Sequence, residues 1–533
     1  MMSKDGGAFV PGSLSDQAER PPVLSRRLFN VGLLSSGVLA AGGLPIISPA
    51  KADPVRGGSV RLALAAQNTN DTFNSAKYVQ ANDYIRGTSV YSYLTRLDEN
   101  LQPQPEIALS WEPNSDATRW TFKIRQGVTF SDGAKLTLDD IAFSIMRHKE
   151  DKVASTAKQL TGNITSVTGQ GPDTLVIELA SPDVDLPVLV SIFQYAIVKN
   201  GTYDFANPVG TGPFVVKEFQ PGIRTVLARN PTYWKEGRPY LDQIEMIAIV
   251  DPAARANALL SGDVDMITEL RGSAIDEVAK SSNGSVFVTP STRYTAIQAA
   301  VDRAPSNNQD LNLALAYLVD RKRVLDTVLR GYGTIANDHP FGPQSPYYNK
   351  ALPQRALDLD KAKYHISKSG IGQTKVELSI SDAVVYSVDI GQLMQREAAR
   401  AGLNLELRRE PTDSYWTAVA GNRPYFGTNF HPRPTYNMFL NLAWRKGAAW
   451  NFSHYESEKM ESLITQAQST LDEAKRKEQY DEIQSIIYNS GALVLPCFLS
   501  YVDGVSKKVK GLTPVPLGNL GGFNFADRIW LEG

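Results

Sequence analysis

Hydrophobic and polar positions alternate along some segments of this chain and recur every three to four residues along others. The alternation in RWTFKI, residues 119–124, predicts a half-buried strand. The next segment, residues 137–145, has the helical repeat, and Thr137 with Asp140 forms a capping box that predicts where the helix begins. Strand and helix signals therefore follow one another directly.

The same two patterns continue through the middle of the chain. Residues 246–250 predict a buried strand, followed by a helix that Asp251 caps and Gly262 ends. Residues 310–331 predict one long helix, which stops at Gly331.

Towards the C-terminus, residues 375–410 contain two alternating strands around a helical segment, which predicts a βαβ unit. Residues 470–491 predict an amphipathic helix capped by Thr470 and Glu473. This regular succession of strands and helices is typical of an α/β protein.

The first 52 residues have the pattern of a cleavable export signal. Arg26 and Arg27 precede an apolar stretch broken by Gly and Ser, and the small-residue pattern at 50–52 predicts cleavage near Ala52. The paired arginines indicate the twin-arginine export route and hence a periplasmic protein. A membrane anchor is the alternative, but the glycines, serines and Pro45 weaken this segment as a spanning helix.

Composition and motifs narrow the function further. The net charge of −1 gives no basic field for nucleic acid. No hydrolase elbow, zinc-protease motif or phosphate-binding loop is present, so we expect neither an enzyme nor a cofactor. The single cysteine, Cys497, has no partner for an internal disulfide, and the five histidines have no metal-site spacing.

Several stretches resemble, in order, one family: the solute-binding proteins of ABC importers of the peptide-binding type, called family 5 or cluster C. The matching stretches are WTFKIRQGVTFSDGAKLTLDDIAFSI, NPVGTGPFVVKEFQPGIRTVLARNPTYWKEGRPYLDQIEM, LLSGDVDM, LALAYLVDRKRVLDTVLRGYG and LDEAKRKEQYDEIQSII. The resemblance implies a periplasmic binding protein-like type II fold, with two lobes that close around a ligand by hinge motion.

It also implies a third, inserted domain and a set of partners. Lobe I is expected to combine residues 53–87, 209–300 and 503–533, the inserted domain to span 88–208, and lobe II to span 301–502. The implied partners are a small-molecule solute and the permease and ATPase subunits of an importer at the inner membrane. We expect the protein itself to be a monomer.

One arginine departs from the pattern of peptide-binding members. They carry an acidic residue before a proline in this part of lobe II, where it holds the ammonium group of the peptide. Here Arg433 stands in that place, between Pro432 and Pro434. A guanidinium is a planar fork suited to a carboxylate, so a carboxylate-bearing ligand is the direct inference. The alternative is a structural arginine, paired with an acid or stacked on Tyr436.

Other candidate ligand-binding residues surround Arg433 in the sequence or resemble loops of opine-binding members. Most of these residues are candidates because aromatic rings and polar side-chain groups can dock a solute. The candidates near Arg433 are Asn429, His431, Tyr415, Trp416, Trp444, Trp450 and Asn451, and those in the loop GYGTIANDHP are Asn337, Asp338 and His339. The glycines of VGTGPF, residues 209–214, predict a hinge or cleft turn because they permit unusual φ angles.

Three functional hypotheses follow. The first is capture of an oligopeptide, opine or similar carboxylate-bearing solute for an ABC importer, with an opine-like or sugar-amino-acid ligand preferred because Arg433 disfavours an ammonium group. The second is a twin-arginine-exported periplasmic hydrolase, which needs a nucleophile and base that the sequence does not reveal. The third is a periplasmic sensor that uses the same two-lobed fold.

Overall fold

The structure is a computed structural model that describes residues 53–66 and 68–532. The predicted export signal and its cleavage site lie outside these residues. Within the described ranges, no helix combines the length and the apolar character needed to cross a membrane.

The strands form four separate sheets. In chain order they are β1 (Ser59–Leu64), β2 (Thr95–Leu97), β3 (Pro103–Pro105), β4 (Ala108–Pro113), β5 (Arg119–Ile124), β6 (Ile164–Gln170), β7 (Thr174–Leu179), β8 (Phe214–Gln220), β9 (Arg224–Arg229), β10 (Gln243–Ala248), β11 (Met266–Ile267), β12 (Gly284–Ala299), β13 (Gly333–Ile335), β14 (Val376–Ile380), β15 (Leu405–Arg409), β16 (Tyr425–Phe430), β17 (Leu493–Ser506), β18 (Val509–Lys510) and β19 (Trp530–Leu531).

Helices occupy most of the connections between the strands. They are α1 (Ala81–Val90), α2 (Leu138–Met146), α3 (Lys158–Thr161), α4 (Leu186–Leu189), α5 (Pro252–Ser261), α6 (Ala274–Lys280), α7 (Gln309–Tyr317), α8 (Arg321–Arg323), α9 (Leu359–Ser369), α10 (Ser387–Ala401), α11 (Tyr436–Ala443), α12 (Glu458–Ser469) and α13 (Glu473–Ser490). The predicted mixture of α-helices and β-strands is confirmed.

Two long strands, β12 and β17, hold the largest sheet together. This 11-stranded sheet has the order β15-β14-β16-β12-β17-β11-β1-β10-β9-β8, and β13 also pairs with β17. One end of the β12–β17 ladder joins Gly284–Thr289 to Tyr501–Ser506, and the other joins residues 293–298 to 493–499. The register shifts between Thr289 and Arg293. The two strands thus run through both halves of the sheet, with an irregularity between the halves.

Each half of the sheet has its own hydrophobic core. The half that contains β14, β15 and β16 packs on a cluster that includes Tyr294, Leu440 and Trp444. The half that contains β1 and β10 packs on a cluster that includes Leu62 and Ile244. Separate cores of this kind are typical of parts that move relative to one another.

A third core lies on the four-stranded antiparallel sheet β4-β5-β7-β6. Its buried residues, among them Trp120, Phe122 and Ile177, all come from residues 94–197. The exact boundaries of the three expected domains stay a prediction.

Several local predictions are confirmed. The side chain of Thr137 accepts a hydrogen bond from the N–H of Asp140, whose carboxylate accepts the N–H of Thr137, so the capping box forms as expected. Asp251 caps α5, and Gly262 ends it with a φ of 84°. Strands β14 and β15 are parallel and connected by α10, as a βαβ unit requires.

Three local predictions were wrong. The single helix expected over residues 310–331 is broken, because α7 ends at Tyr317 and the Asp320 side chain caps a new turn at Arg323. Asp472, not Thr470, caps α13, and the Thr470 hydroxyl instead donates to the Gln466 carbonyl of the preceding helix. The strand expected to reach Val250 ends at Ala248, and Val250 is exposed.

The glycines of residues 209–214 do not provide the unusual φ angles that the sequence predicted. Neither Gly210 nor Gly212 has a positive φ. A Cβ atom at either position would collide with the backbone of Val90, and the Gly212 N–H donates to the Val90 carbonyl at 2.9 Å. Glycine is required here because two backbone segments approach closely.

A short acidic segment before α4 contacts the helices of another part of the chain. The Val184 N–H donates to the Gln468 carbonyl at 3.0 Å, and the Asn437 amide donates to the Asp185 carboxylate at 3.0 Å. Burial and the nearby Asp185 carboxylate raise the pKa of Asp183 to about 7. Burial also raises the pKa of Asp185, and the Arg476 charge and hydrogen bonds from Thr435 and Asn437 partly offset this rise.

This pair predicts a pH-dependent change in stability. Because the folded state raises the pKa of Asp183, folding is most favoured while that carboxyl is protonated, and the free energy of unfolding falls as the pH rises from about 4 to about 7. Asp183→Asn keeps an acceptor for the Asp185 N–H, which Asp183 Oδ1 accepts at 2.9 Å. We therefore expect the variant to be more stable than the wild type at pH 7.5 and equally stable near pH 4, in chemical denaturation at both pH values.

The matched control is Asp116→Asn. Hydrogen bonds from Thr118 lower the pKa of Asp116, so loss of its charge should destabilise the protein at pH 7.5. A variant at position 183 that is less stable than the wild type at pH 7.5 would show that its charge is stabilising.

Candidate functional site

Arg433 lies in a short connection that the sequence around it dictates. Strand β16 ends at Phe430, and the prolines at 432 and 434 have no N–H with which to extend a ladder. The Thr435 hydroxyl then accepts the N–H of Met438 and caps α11. Arg433 is thereby held between the end of a strand and the start of a helix.

The Arg433 side chain has no acidic partner among the residues that the structure describes. Its Nη1 donates to the carbonyls of His431, at 3.4 Å, and of Pro432, at 3.2 Å. Its guanidinium carbon lies 5.4 Å from the ring centre of Trp450. Burial lowers the pKa of Arg433, which means that the charge is already partly removed from water.

Arg293, on the neighbouring strand, points to the same place. The antiparallel register ends with Tyr294 opposite Phe430, so Arg293 and His431 are the next residues of the two segments beyond that pair. Its guanidinium carbon is 5.5 Å from the Tyr501 ring centre, and the Tyr501 hydroxyl is 3.4 Å from His431 Nδ1. We call Arg293, His431, Arg433 and Tyr501 the arginine cluster.

The cluster is positive at neutral pH. The pKa of His431 is lowered to about 4, because surrounding protein displaces water and because Arg293 and Arg433 add positive charge. Part of the His431 residue is nonetheless exposed to solvent. Burial raises the pKa of Tyr501 to about 12, so its hydroxyl also stays neutral.

Residues from the other half of the sheet face the cluster. Burial raises the pKa of Tyr84, on α1, and Arg433 is the strongest charge opposing that rise. The Tyr84 ring stacks on Phe193 with centres 4.6 Å apart, and Phe523 lies 5.4 Å away. Glu269 follows β11 and pairs with Arg271 at 2.5 Å. The cluster therefore lies where the two halves of the sheet meet.

The predicted aromatic candidates divide into two groups. Trp450 and Trp416 are each 40% exposed, and Trp450 is the one beside Arg433. Tyr415 and Trp444 are buried, and the Tyr415 hydroxyl donates to the Gly427 carbonyl at 2.6 Å. Asn429 is half-buried and pairs across the sheet with Thr295, next to the cluster.

The predicted residues of the loop GYGTIANDHP are buried, and two of them, Asn337 and Asp338, are hydrogen-bonded within the protein. Asp338 accepts hydrogen bonds from Arg321 at 2.6 and 2.7 Å and from Arg355 at 2.6 Å. The Asn337 amide donates to the Pro353 carbonyl. His339 is fully buried, and neither ring nitrogen has a partner among the described residues.

The side chain of Asn451, the last of these candidates, is likewise hydrogen-bonded to residues near it in the sequence. Its amide donates to the carbonyls of Arg445 and Tyr455, and its oxygen accepts the Ser453 hydroxyl. The structure thus brings Asn429, His431, Arg433 and Trp450 together. Among the described residues, no hydrogen bond or ion pair joins the 337–339 loop to them.

Arg293, Tyr501 and Tyr84 are candidate site residues that the sequence did not reveal. Arg293 and Tyr501 lie in strands with no distinguishing motif, and their proximity to Arg433 depends on pairing between strands that are far apart in the sequence. The register of β12 with β16 is the information that joins them. Within residues 53–66 and 68–532, no group of three or more His, Cys, Asp or Glu side chains is arranged to hold a metal ion.

Comparison with known proteins identifies the family. The profile of bacterial extracellular solute-binding proteins, family 5, matches residues 102–452. The chain belongs to this family, which the sequence segments predicted.

Two curated relatives and one solved structure illustrate the similarity. The nickel-binding periplasmic protein of Escherichia coli K12 is 26% identical over 470 residues, which cover 81% of this chain and 88% of the relative. The glutathione-binding protein GsiB of Escherichia coli O6:K15:H31 is 23% identical over 523 residues, which cover 95% and 99%. The periplasmic binding protein AgaA of A. tumefaciens R10, solved with agropinic acid, has a TM-score of 0.73 and 21% identity, and the match covers 89% of this chain and 99% of AgaA.

These findings confirm the predicted fold class, periplasmic binding protein-like type II, and the predicted function at the level of the family. The protein is a solute-binding component of an ABC importer. The hydrolase alternative receives no support.

The contacts of Asp338 predict a structural role that stability measurements can separate from binding. Removal of one partner from a buried ion pair destabilises a protein by about 3–5 kcal/mol, because the remaining charges stay buried. We expect Asp338→Ala to lower the free energy of unfolding by at least that amount, since it leaves both Arg321 and Arg355 without their carboxylate.

The matched control is Asp326→Ala, which breaks an exposed pair with Lys322 on the same part of the chain. It should change the free energy of unfolding by about 0.5 kcal/mol or less. Equal effects of the two substitutions in urea denaturation would contradict a structural role for Asp338.

Proposed function

We propose that this protein captures a carboxylate-bearing solute, of peptide or opine type, at Arg433 and releases it chemically unchanged to a membrane permease. The observation that carries the proposal is the Arg433 guanidinium, which belongs to a half-buried residue and has no acidic partner among the described residues. A cation in this state is partly desolvated already, so an anionic group that reaches it gains a charge-assisted hydrogen bond without first displacing a protein acid.

The position of the arginine supports enclosure of the solute as the lobes close. Arg433 and Trp450 come from the half of the sheet that contains β16, whereas Tyr84 and Phe523 belong to the core of the other half. A solute between them would contact both halves, and closure would exclude water and strengthen the ion pair. The irregularity between Thr289 and Arg293 is the proposed hinge.

The ligands of two similar proteins are compatible with an acidic solute. Agropinic acid is the ligand of AgaA, and glutathione is the ligand for which GsiB is named.

We propose export through the twin-arginine route to the periplasm, cleavage near Ala52, action as a monomer and no covalent chemistry. The sensor hypothesis uses the same site and differs only in the membrane protein that the closed form contacts.

The experiment that tests this proposal uses the solute that the protein itself retains. The exported protein is purified, denatured to release its solute, and the solute is identified by mass spectrometry and titrated against refolded protein. Stabilisation should rise by about 2.7 kcal/mol at a hundredfold excess over Kd. We expect Arg433→Ala to remove most of this stabilisation while changing the melting temperature of the solute-free protein little, since among the described residues the Arg433 side chain donates hydrogen bonds only to two carbonyls.

Arg409→Ala is the matched control, because Arg409 is an exposed arginine that pairs with Asp382 away from the cluster. Its solute-dependent stabilisation should equal that of the wild type. An Arg433→Ala protein that keeps the full stabilisation would overturn the proposal. So would a strong loss of stability without solute, which would make Arg433 a structural residue.

A further inference from the structure

Arg293 is a second cation that the protein leaves uncompensated at the same site. No described carboxylate lies within 4.0 Å of its guanidinium, although other arginines of the chain, such as Arg321 and Arg355, have close acidic partners. Its guanidinium carbon lies 5.5 Å from the centre of the Tyr501 ring, and the Tyr501 hydroxyl is 3.4 Å from His431 Nδ1. Arg293 is thus comparable with Arg433 in its lack of an acidic partner.

The two guanidiniums act on the same small region. Both lower the pKa of His431, and both oppose the burial that raises the pKa of Tyr501. Two positive charges therefore lie within Coulombic range of one imidazole and one phenol, which are themselves neutral at pH 7.

Two acids act on this region, and neither pairs with Arg293 or Arg433. Glu269 acts on His431 and Tyr501, but its carboxylate pairs with Arg271 at 2.5 Å. Asp503 acts on Tyr501, but its carboxylate accepts hydrogen bonds from the N–H groups of Glu269 and Leu520 and from the Asn519 amide. Lobe closure would remove more water from both guanidiniums, which is unfavourable unless each cation acquires an anionic partner.

We propose that Arg293 and Arg433 together select a solute with two acidic groups, each held by one guanidinium. This inference rests on the proposed function and extends it from a carboxylate-bearing solute to a dianionic one. Arg293 is held in the sheet and Arg433 between two prolines, so the separation of the two cations is restricted, and the solute must present its acidic groups at a matching distance.

The alternative is that both arginines hold one carboxylate. Matched probes that differ by one charge separate the two arrangements. Alanyl-glutamate and alanyl-glutamine have nearly the same shape, and so have N-(carboxymethyl)alanine and N-(carbamoylmethyl)alanine, which have an opine-like secondary amine. Kd is measured by isothermal titration calorimetry on the solute-free exported protein.

If each arginine holds its own acidic group, at least one acid probe should bind on the order of tenfold to a hundredfold more tightly than its amide, as one charge-assisted hydrogen bond requires. Arg293→Gln should weaken the acid to about the affinity of its amide and leave the amide nearly unchanged. Arg293→Lys should keep much of the preference, because the charge remains. Arg409→Gln should change nothing.

Different failures have different meanings. Equal affinity for acid and amide, or equal weakening of both by Arg293→Gln, would overturn this inference and leave the proposed function intact. Binding of none of the four probes would also count against it, whereas the solute-release experiment above tests the proposed function separately. If Arg293→Gln melts at a much lower temperature without ligand, the comparison is made with Arg293→Lys, whose loss of all preference would contradict the proposal.

Discussion

The pairing of β12 with β17 is the constraint on which the rest of the structure depends. These strands form the centre of the 11-stranded sheet and continue through both of its halves, so they connect two cores that otherwise pack separately. At the register shift the Ser291 hydroxyl donates to the Leu499 carbonyl at 2.6 Å, which satisfies a backbone group where the ladder is interrupted. The strands stay joined there while their regular pairing stops.

The same pairing assembles the arginine cluster. Arg293 is opposite Leu499 in the β12–β17 ladder, Tyr501 is two residues further along β17, and the adjacent pairing of β12 with β16 brings in His431 and Arg433. The proposed binding residues and the proposed hinge are therefore built from the same strands. On this proposal, a solute that draws the two halves together acts directly on the irregular segment.

Buried charge has two different purposes in this protein. Around Asp338, two buried arginines each pair with the same buried carboxylate, which stabilises one half of the molecule in the absence of any ligand. In the arginine cluster, two arginines lack carboxylates among the described residues, which is why we propose that their partners come from a solute. The presence or absence of an acidic partner, more than the residue type, is the basis on which we distinguish a structural arginine from a proposed binding one.

Local structure could be predicted from the sequence where neighbouring residues decide it. The Thr137/Asp140 capping box and the cap at Asp251 depend on residues three apart. The break after Tyr317 was missed because Asp320 competes as a cap inside a continuous helical pattern. Asp338 looked like part of an exposed loop, since its two arginine partners lie 17 residues away on either side. Arg433 was found because its prolines and its reversed charge are local, whereas Arg293 required the strand register.

The most direct test of the central claim is a crystal structure of the exported protein with the solute that it retains on purification. The account predicts a solute enclosed between the two halves of the sheet, with a carboxylate oxygen within hydrogen-bonding distance of the Arg433 guanidinium. A solute bound elsewhere, or one that presents an ammonium or an uncharged group to Arg433, would contradict it.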